Sequence, residues 1–117
     1  MSLRTVPKTS KRGTALDYEI AQEQASALGR LGRALEAALA ALVEYDRIHQ
    51  DERAHRERTA KRAQLVDEAG DALWCFIVQR EACGLRDPRP VMRDYRVPAE
   101  VQNRMGVFAG RRRATSA

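Results

Sequence analysis

The chain has 117 residues, 44% hydrophobic but only 5% aromatic, with a formal charge of +5. That length bounds it to a single domain, and its reliance on alanine and leucine with few aromatics disfavours a β-core. The longest apolar runs, 37–43 (AALAALV) and 73–78 (LWCFIV), fall far short of the roughly 20 residues a membrane-spanning helix needs.

The charge divides unevenly. Residues 1–13 carry +4 through Arg4, Lys8, Lys11 and Arg12, and residues 104–117 carry +4 through Arg104, Arg111, Arg112 and Arg113, which leaves −3 on residues 14–103. Basic ends can hold a phosphate backbone or an anionic lipid surface, or simply be solvated.

Residues 1–13 include Pro7 and Gly13 and little to bury, which predicts a disordered basic tail. A helix is predicted from Ala15 to at least Tyr45, capped by Thr14, with Asp17, Glu19 and Glu23 near its positive end. Its seam runs through Leu28, Leu31, Leu35, Ala38, Leu42 and Tyr45 at steps of three and four, the period of an amphipathic helix. Gly29 and Gly32 interrupt it, each costing up to about 1 kcal/mol relative to alanine. A close crossing that makes room for Trp74 or Phe76 explains them better than tolerated surface glycine.

From Arg33 to Ala69 there is no glycine or proline, so nothing marks a turn. One helix over 15–84 would be about 105 Å long and would need a partner throughout. The loss of apolar periodicity over 46–62 favours two helices meeting between 47 and 60. The second seam runs through Val66, Ala69, Leu73, Phe76, Arg80 and Cys83. It stops at Gly84, with Leu85 placed to pack back on the last turn and Pro88 barring continuation.

Residues 85–97 read as an irregular crossing. Residues 98–105 read as a short helix opened by Pro98 and stopped by Gly106, with Val101, Met105 and then Phe108 folding back on the hairpin. The domain therefore spans 14–109, between basic tails 1–13 and 110–117.

The expected fold is all-α: an antiparallel helical hairpin plus a short C-terminal helix, dimerising into a four-helix bundle. The dimer follows from LWCFIV, whose six apolar side chains point all round a helix while a hairpin covers one stripe. Leu28, Leu31, Leu35, Leu42, Val66, Leu73, Trp74, Phe76 and Ile77 are the expected interface or core.

Candidate chemistry is thin. Cys75 and Cys83 lie about 12 Å apart along one helix, too far for a disulfide, and read as small apolar residues in a reducing, cytoplasmic compartment. The basic N-terminus lacks the apolar segment of a secretory signal. His49 and His55 project about 240° apart on a helix, and only Glu52–His55 has the Glu-x-x-His spacing that a two-metal bundle site requires twice. Glu19 and Glu23 share a face, but a solvated acidic stripe accounts for them. No catalytic residue, cofactor or metal site is expected. Arg80 sits on the apolar seam at the level of residues 23–30, where Glu23 is its best partner in an ion pair fixing register. An anion-binding arginine is the alternative.

The segments ALDYEIAQEQASALGRLG (15–32), ALWCFIVQREACGLRD (72–87) and DYRVPAEVQNRMG (94–106) resemble an uncharacterised family of short bacterial proteins, a domain of unknown function. The resemblance covers about 15–106, leaves out both tails, and implies a mostly helical cytoplasmic protein without bringing any activity.

The expected function is that of a non-enzymatic helical protein that self-associates through 28–45 and 66–83 and meets an unidentified protein partner, with no membrane role. The alternative is a nucleic-acid-associated accessory protein using its basic ends. Fluorescence anisotropy with a random-sequence duplex separates the two. We expect weak binding that vanishes near 0.15 M salt, where the Debye length is about 8 Å. Tight binding at that salt, lost on deleting 1–13 and 107–117, would favour the nucleic-acid function.

Overall fold

The computed structural model describes residues 6–50 and 55–106, with side chains placed over 14–50 and 59–106. Among the described residues all four elements are helices: α1 (Val6–Ile48), α2 (His55–Ala82), α3 (Arg89–Asp94) and α4 over 99–106. Helices α1 and α2 form the expected antiparallel hairpin. The bend falls after Ile48 and before His55, inside the window that the loss of periodicity marked.

Helix α1 begins nine residues earlier than Ala15. Pro7 stands in its first turn, where a residue without an N–H loses no helical bond, so proline starts the helix instead of blocking it. Thr14 is therefore inside the helix, and Asp17, Glu19 and Glu23 lie beyond its first turn, which contains no acidic residue.

The register follows from two contacts. Gly32 on α1 lies against the Phe76 ring of α2, and Asp46 near the end of α1 meets Arg62 near the start of α2. A Cβ on Gly32 would sit 2.8 Å from the Tyr95 hydroxyl and 3.6 Å from the Phe76 ring. The close crossing is thus real at Gly32, with Phe76 and not Trp74 in the space. At Gly29 the nearest atoms to an added Cβ would belong to the side chain of Arg33 from its own helix. The Phe76 and Tyr95 rings pack edge to face, centroids 5.4 Å apart.

Helix α2 ends as its sequence demands. Gly84 has φ +88°, its N–H donates to the Glu81 carbonyl, and the Leu85 N–H donates to the Arg80 carbonyl at 2.8 Å. This is the left-handed C-terminal motif. Leu85 is 46% exposed, and the residue that this motif sets it against is Arg80.

The stretch expected to be irregular contains α3. Two prolines disguised it, but Pro90 stands in the first turn, and Asp87 accepts the Arg89 N–H at 3.0 Å where Pro88 has no side-chain cap to offer. Helix α3 carries the chain back along the hairpin, Tyr95 beside Gly32 and Arg96 beside Leu39. Helix α4 then reverses and runs alongside α2, Glu100 level with Arg62 and Arg104 level with Asp67.

The largest fully buried side chains among the described residues are Leu35 of α1, Leu73 of α2 and Val101 of α4. Leu39, Leu42, Leu65, Val66, Ala69, Phe76, Val91 and Val97 complete the core. Leu28, Leu31 and Ile77 pack against it partly buried, and Trp74 is half-buried. Leu39 and Leu65 lie one position off the predicted seams. They are buried because α3 and α4 widen the covered face beyond a two-helix stripe.

The turn after α3 repeats the left-handed motif with an unsuitable residue. Arg96 has φ 52°, while the Val97 N–H donates to the Met92 carbonyl at 3.0 Å. A side chain in that conformation costs about 1 kcal/mol that glycine does not. Arg96→Gly should therefore raise the urea midpoint by an amount equivalent to about 1 kcal/mol, and Gly84→Ala should lower it by a similar amount.

Candidate functional site

The densest polar constellation is built on Arg62. Its guanidinium donates through Nε and Nη2 to the Asp46 carboxylate at 2.7 and 3.0 Å, and through Nη1 and Nη2 to the Glu100 carboxylate at 2.8 and 2.7 Å. One cation of α2 thereby joins the last turns of α1 to the first turn of α4. The planar fork of arginine suits two forked acceptors, which lysine could not serve in this way.

Hydrogen bonds to Arg62 hold both the Asp46 and the Glu100 carboxyls below their ordinary range, and the two acids raise the guanidinium further above its own. The three side chains are between 34% and 47% exposed, so solvent screens the attraction.

A second tie lies one turn along. Arg104 of α4 pairs with Asp67 of α2. Beside it a Cβ on Gly70 would stand 3.1 Å from the Arg104 Cβ and 3.3 Å from α4 backbone. Glycine here lets the short helix reach contact distance.

Two open grooves flank Arg62. One, of about 450 Å³, lies between α2 and α4 and is lined by Thr59, Ala63, Val66 and Asn103. The other, of about 390 Å³, is more apolar and runs past Leu39, Val43, Tyr95 and Pro98. Four of the five N–H groups of the Arg62 guanidinium already donate to carboxylates, so the junction acts as a lock between helices and leaves at most one Nη1 hydrogen for an anion.

Residues singled out from sequence fare differently. Leu35, Leu42, Val66, Leu73 and Phe76 are core within one chain. The ion pair expected between Arg80 and Glu23 is replaced. Arg80 Nη2 donates to the Asp87 backbone carbonyl at 2.9 Å, and its Nε is buried with no hydrogen bond among the described residues. The Gly32–Phe76 register sets Arg80 level with Leu28, so Glu23 lies about 8 Å further along α1, while the post-helix loop folds directly over the arginine. Glu23 is exposed.

His49 is half-buried, stacked on Tyr45 with centroids 4.1 Å apart and its Nδ1 2.9 Å from the Tyr45 carbonyl. Glu52 and the side chain of His55 lie outside the described residues. Neither cysteine is in a disulfide. Among the described residues no group of three or more His, Cys, Asp or Glu side chains is placed to hold a metal, and no helix is long and apolar enough to cross a membrane.

A family described as "Family of unknown function (DUF6665)" matches residues 2–113. The chain belongs to this family. Comparison with curated proteins and with solved structures finds no match. The match extends the sequence resemblance beyond 15–106 at both ends, so the DUF6665 pattern includes Lys8, Lys11, Arg12 and Arg111–Arg113. The Arg62 junction and the Gly70 contact also lie within it. Sequence reading missed them because Arg62 and Asp46 stand in a charge-rich run where every residue looks solvated.

The junction predicts a pH dependence. Asp46 and Glu100 have lowered folded-state pKa values, so the stability they contribute is present above their unfolded values near pH 4 and lost as pH falls through the folded ones. Arg62→Met should cost about 1–2 kcal/mol at pH 7 by urea denaturation. The gap from wild type should narrow below about pH 4 as both carboxylates protonate.

Proposed function

We propose that this DUF6665 protein is a non-enzymatic interaction protein that works as a homodimer, its hairpins joining in a bundle of four long helices. One observation carries the reading: among the described residues, α1 outruns α2, the one long helix it packs on. Level with Leu28, α2 is already in its last turn, and the earlier part of α1, back to Val6, continues for about 30 Å.

Residues 14–23 are exposed, including Leu16 at 57%, Tyr18 at 69% and Ile20 at 49%. A helix alone in water is marginal at this length, since packing of an apolar face supplies most helical stability. The overall dimensions, 79 × 33 × 19 Å, and a radius of gyration of 20.2 Å against about 13 Å for a compact domain of this size, reflect the same overhang.

The contact cannot use the leucine seams, which the chain buries itself. It falls to outer faces, where Val43 is 65%, Ile48 58% and Val78 41% exposed. Cysteines outside any disulfide fit a reducing compartment such as the cytoplasm. The nucleic-acid reading retains one support, the inclusion of both basic ends in the family match.

Light scattering coupled to size exclusion should report about twice the 13.2 kDa chain mass. A monomer at micromolar concentration would remove the self-association reading.

A further inference from the structure

One exposed face of α1 has a pattern that fits itself in reverse. Positions 16, 20, 23, 27, 30, 34, 37 and 41 step alternately by four and three, a heptad seam, and it is not the seam that faces α2. Its N-terminal part carries the large side chains Leu16 and Ile20, 57% and 49% exposed. Its C-terminal part carries only Ala34, Ala37 and Ala41, all exposed. Between them stand an acid, Glu23, and a base, Arg30, both exposed, on either side of half-buried Ala27. Helix α3 and its following turn lie along another side of α1, at Gly32, Glu36 and Leu39, which leaves this face open.

We propose that a second copy of this chain docks antiparallel on this face of α1. In the layers of an antiparallel pair, Leu16 lies over the partner's Ala41 and Ile20 over the partner's Ala37. Each large side chain then meets a small one, and the alanines let the helices approach closely. Glu23 falls one layer, about 6 Å along the axis, from the partner's Arg30, and the two-fold repeats the pair. A two-fold interface must be self-complementary, and size and charge both reverse about one point between Leu28 and Gly29.

This choice of occupant follows from that reversal: a foreign helix would have to match large residues at one end and alanines at the other, whereas a second α1 does so by symmetry. The arrangement also covers the overhang, since residues 16–23 of each copy lie on residues 34–41 of the other, where α2 already supports the helix. The inference rests on the self-association proposed above and names its geometry.

Charge reversal tests it. Glu23→Arg and Arg30→Glu, each alone, set like charges in adjacent layers and should weaken the dimer about tenfold or more by sedimentation equilibrium. Mixing the two variants restores both opposite-charge contacts, because one chain then carries two bases and the other two acids. Recovery of wild-type affinity in the mixture is the expected result. Wild-type dimerisation of both single variants would overturn this geometry while leaving self-association intact. Weakening without recovery on mixing would overturn it too, and a monomeric wild type would remove both proposals. At concentrations where each variant is dimeric, its circular dichroism should match wild type, as both positions are at the surface of the single chain.

Discussion

Leu35, Leu73 and Val101 belong to one buried cluster to which α1, α2 and α4 all contribute, and the fold depends on that three-sided core. A two-helix hairpin buries one stripe on each member and leaves the rest wet. Adding a third side encloses a leucine from each long helix completely, and full enclosure is where apolar burial contributes most, about 1.5–3 kcal/mol per large side chain. Residues 91–101 are therefore part of the core and not an appendage to it.

The ion pairs of Arg62 and Arg104 serve to place α4. Its eight described residues are too few to be stable by themselves, so its position comes from outside. Pro98 sets its entry, accepting the N–H groups of Val101 and Gln102. Arg62 ties its first turn to α1 and α2, Arg104 ties a later turn to Asp67, and Gly70 admits its backbone. The ion pairs are partly solvated and each adds little stability. Their value lies in orientation, because a bidentate fork tolerates small angular error only.

The same economy is missing at the other end. Before Leu28 the described residues offer α1 no long helix to pack on, yet the helix continues with leucine, tyrosine and isoleucine on its surface. A chain this small buries a modest share of its surface on folding, and association is the means by which such chains cover more. The functional reading and the antiparallel geometry both grow from this asymmetry between a three-sided core and a bare helix.

Much of the fold was legible in the residues. The two seams, the bend between 47 and 60, the stop at Gly84 and the short helix after Pro98 all follow from local rules: period, capping and the backbone limits of glycine and proline. Those rules act within a few residues, so sequence carries them in full. They also misled locally, since Pro7 and Pro90 look like breaks but stand in first turns. What the tertiary structure alone decided is which polar residues meet. Arg62 lies 16 residues from Asp46 and 38 from Glu100, and nothing in a run of mixed charge distinguishes it. Arg80 shows the converse: its level against α1 was readable from the seam, but the post-helix loop folding over it was not. Ion pairs are chosen by side-chain reach across a packed interface, and that geometry exists only once the apolar seams have set the helices side by side.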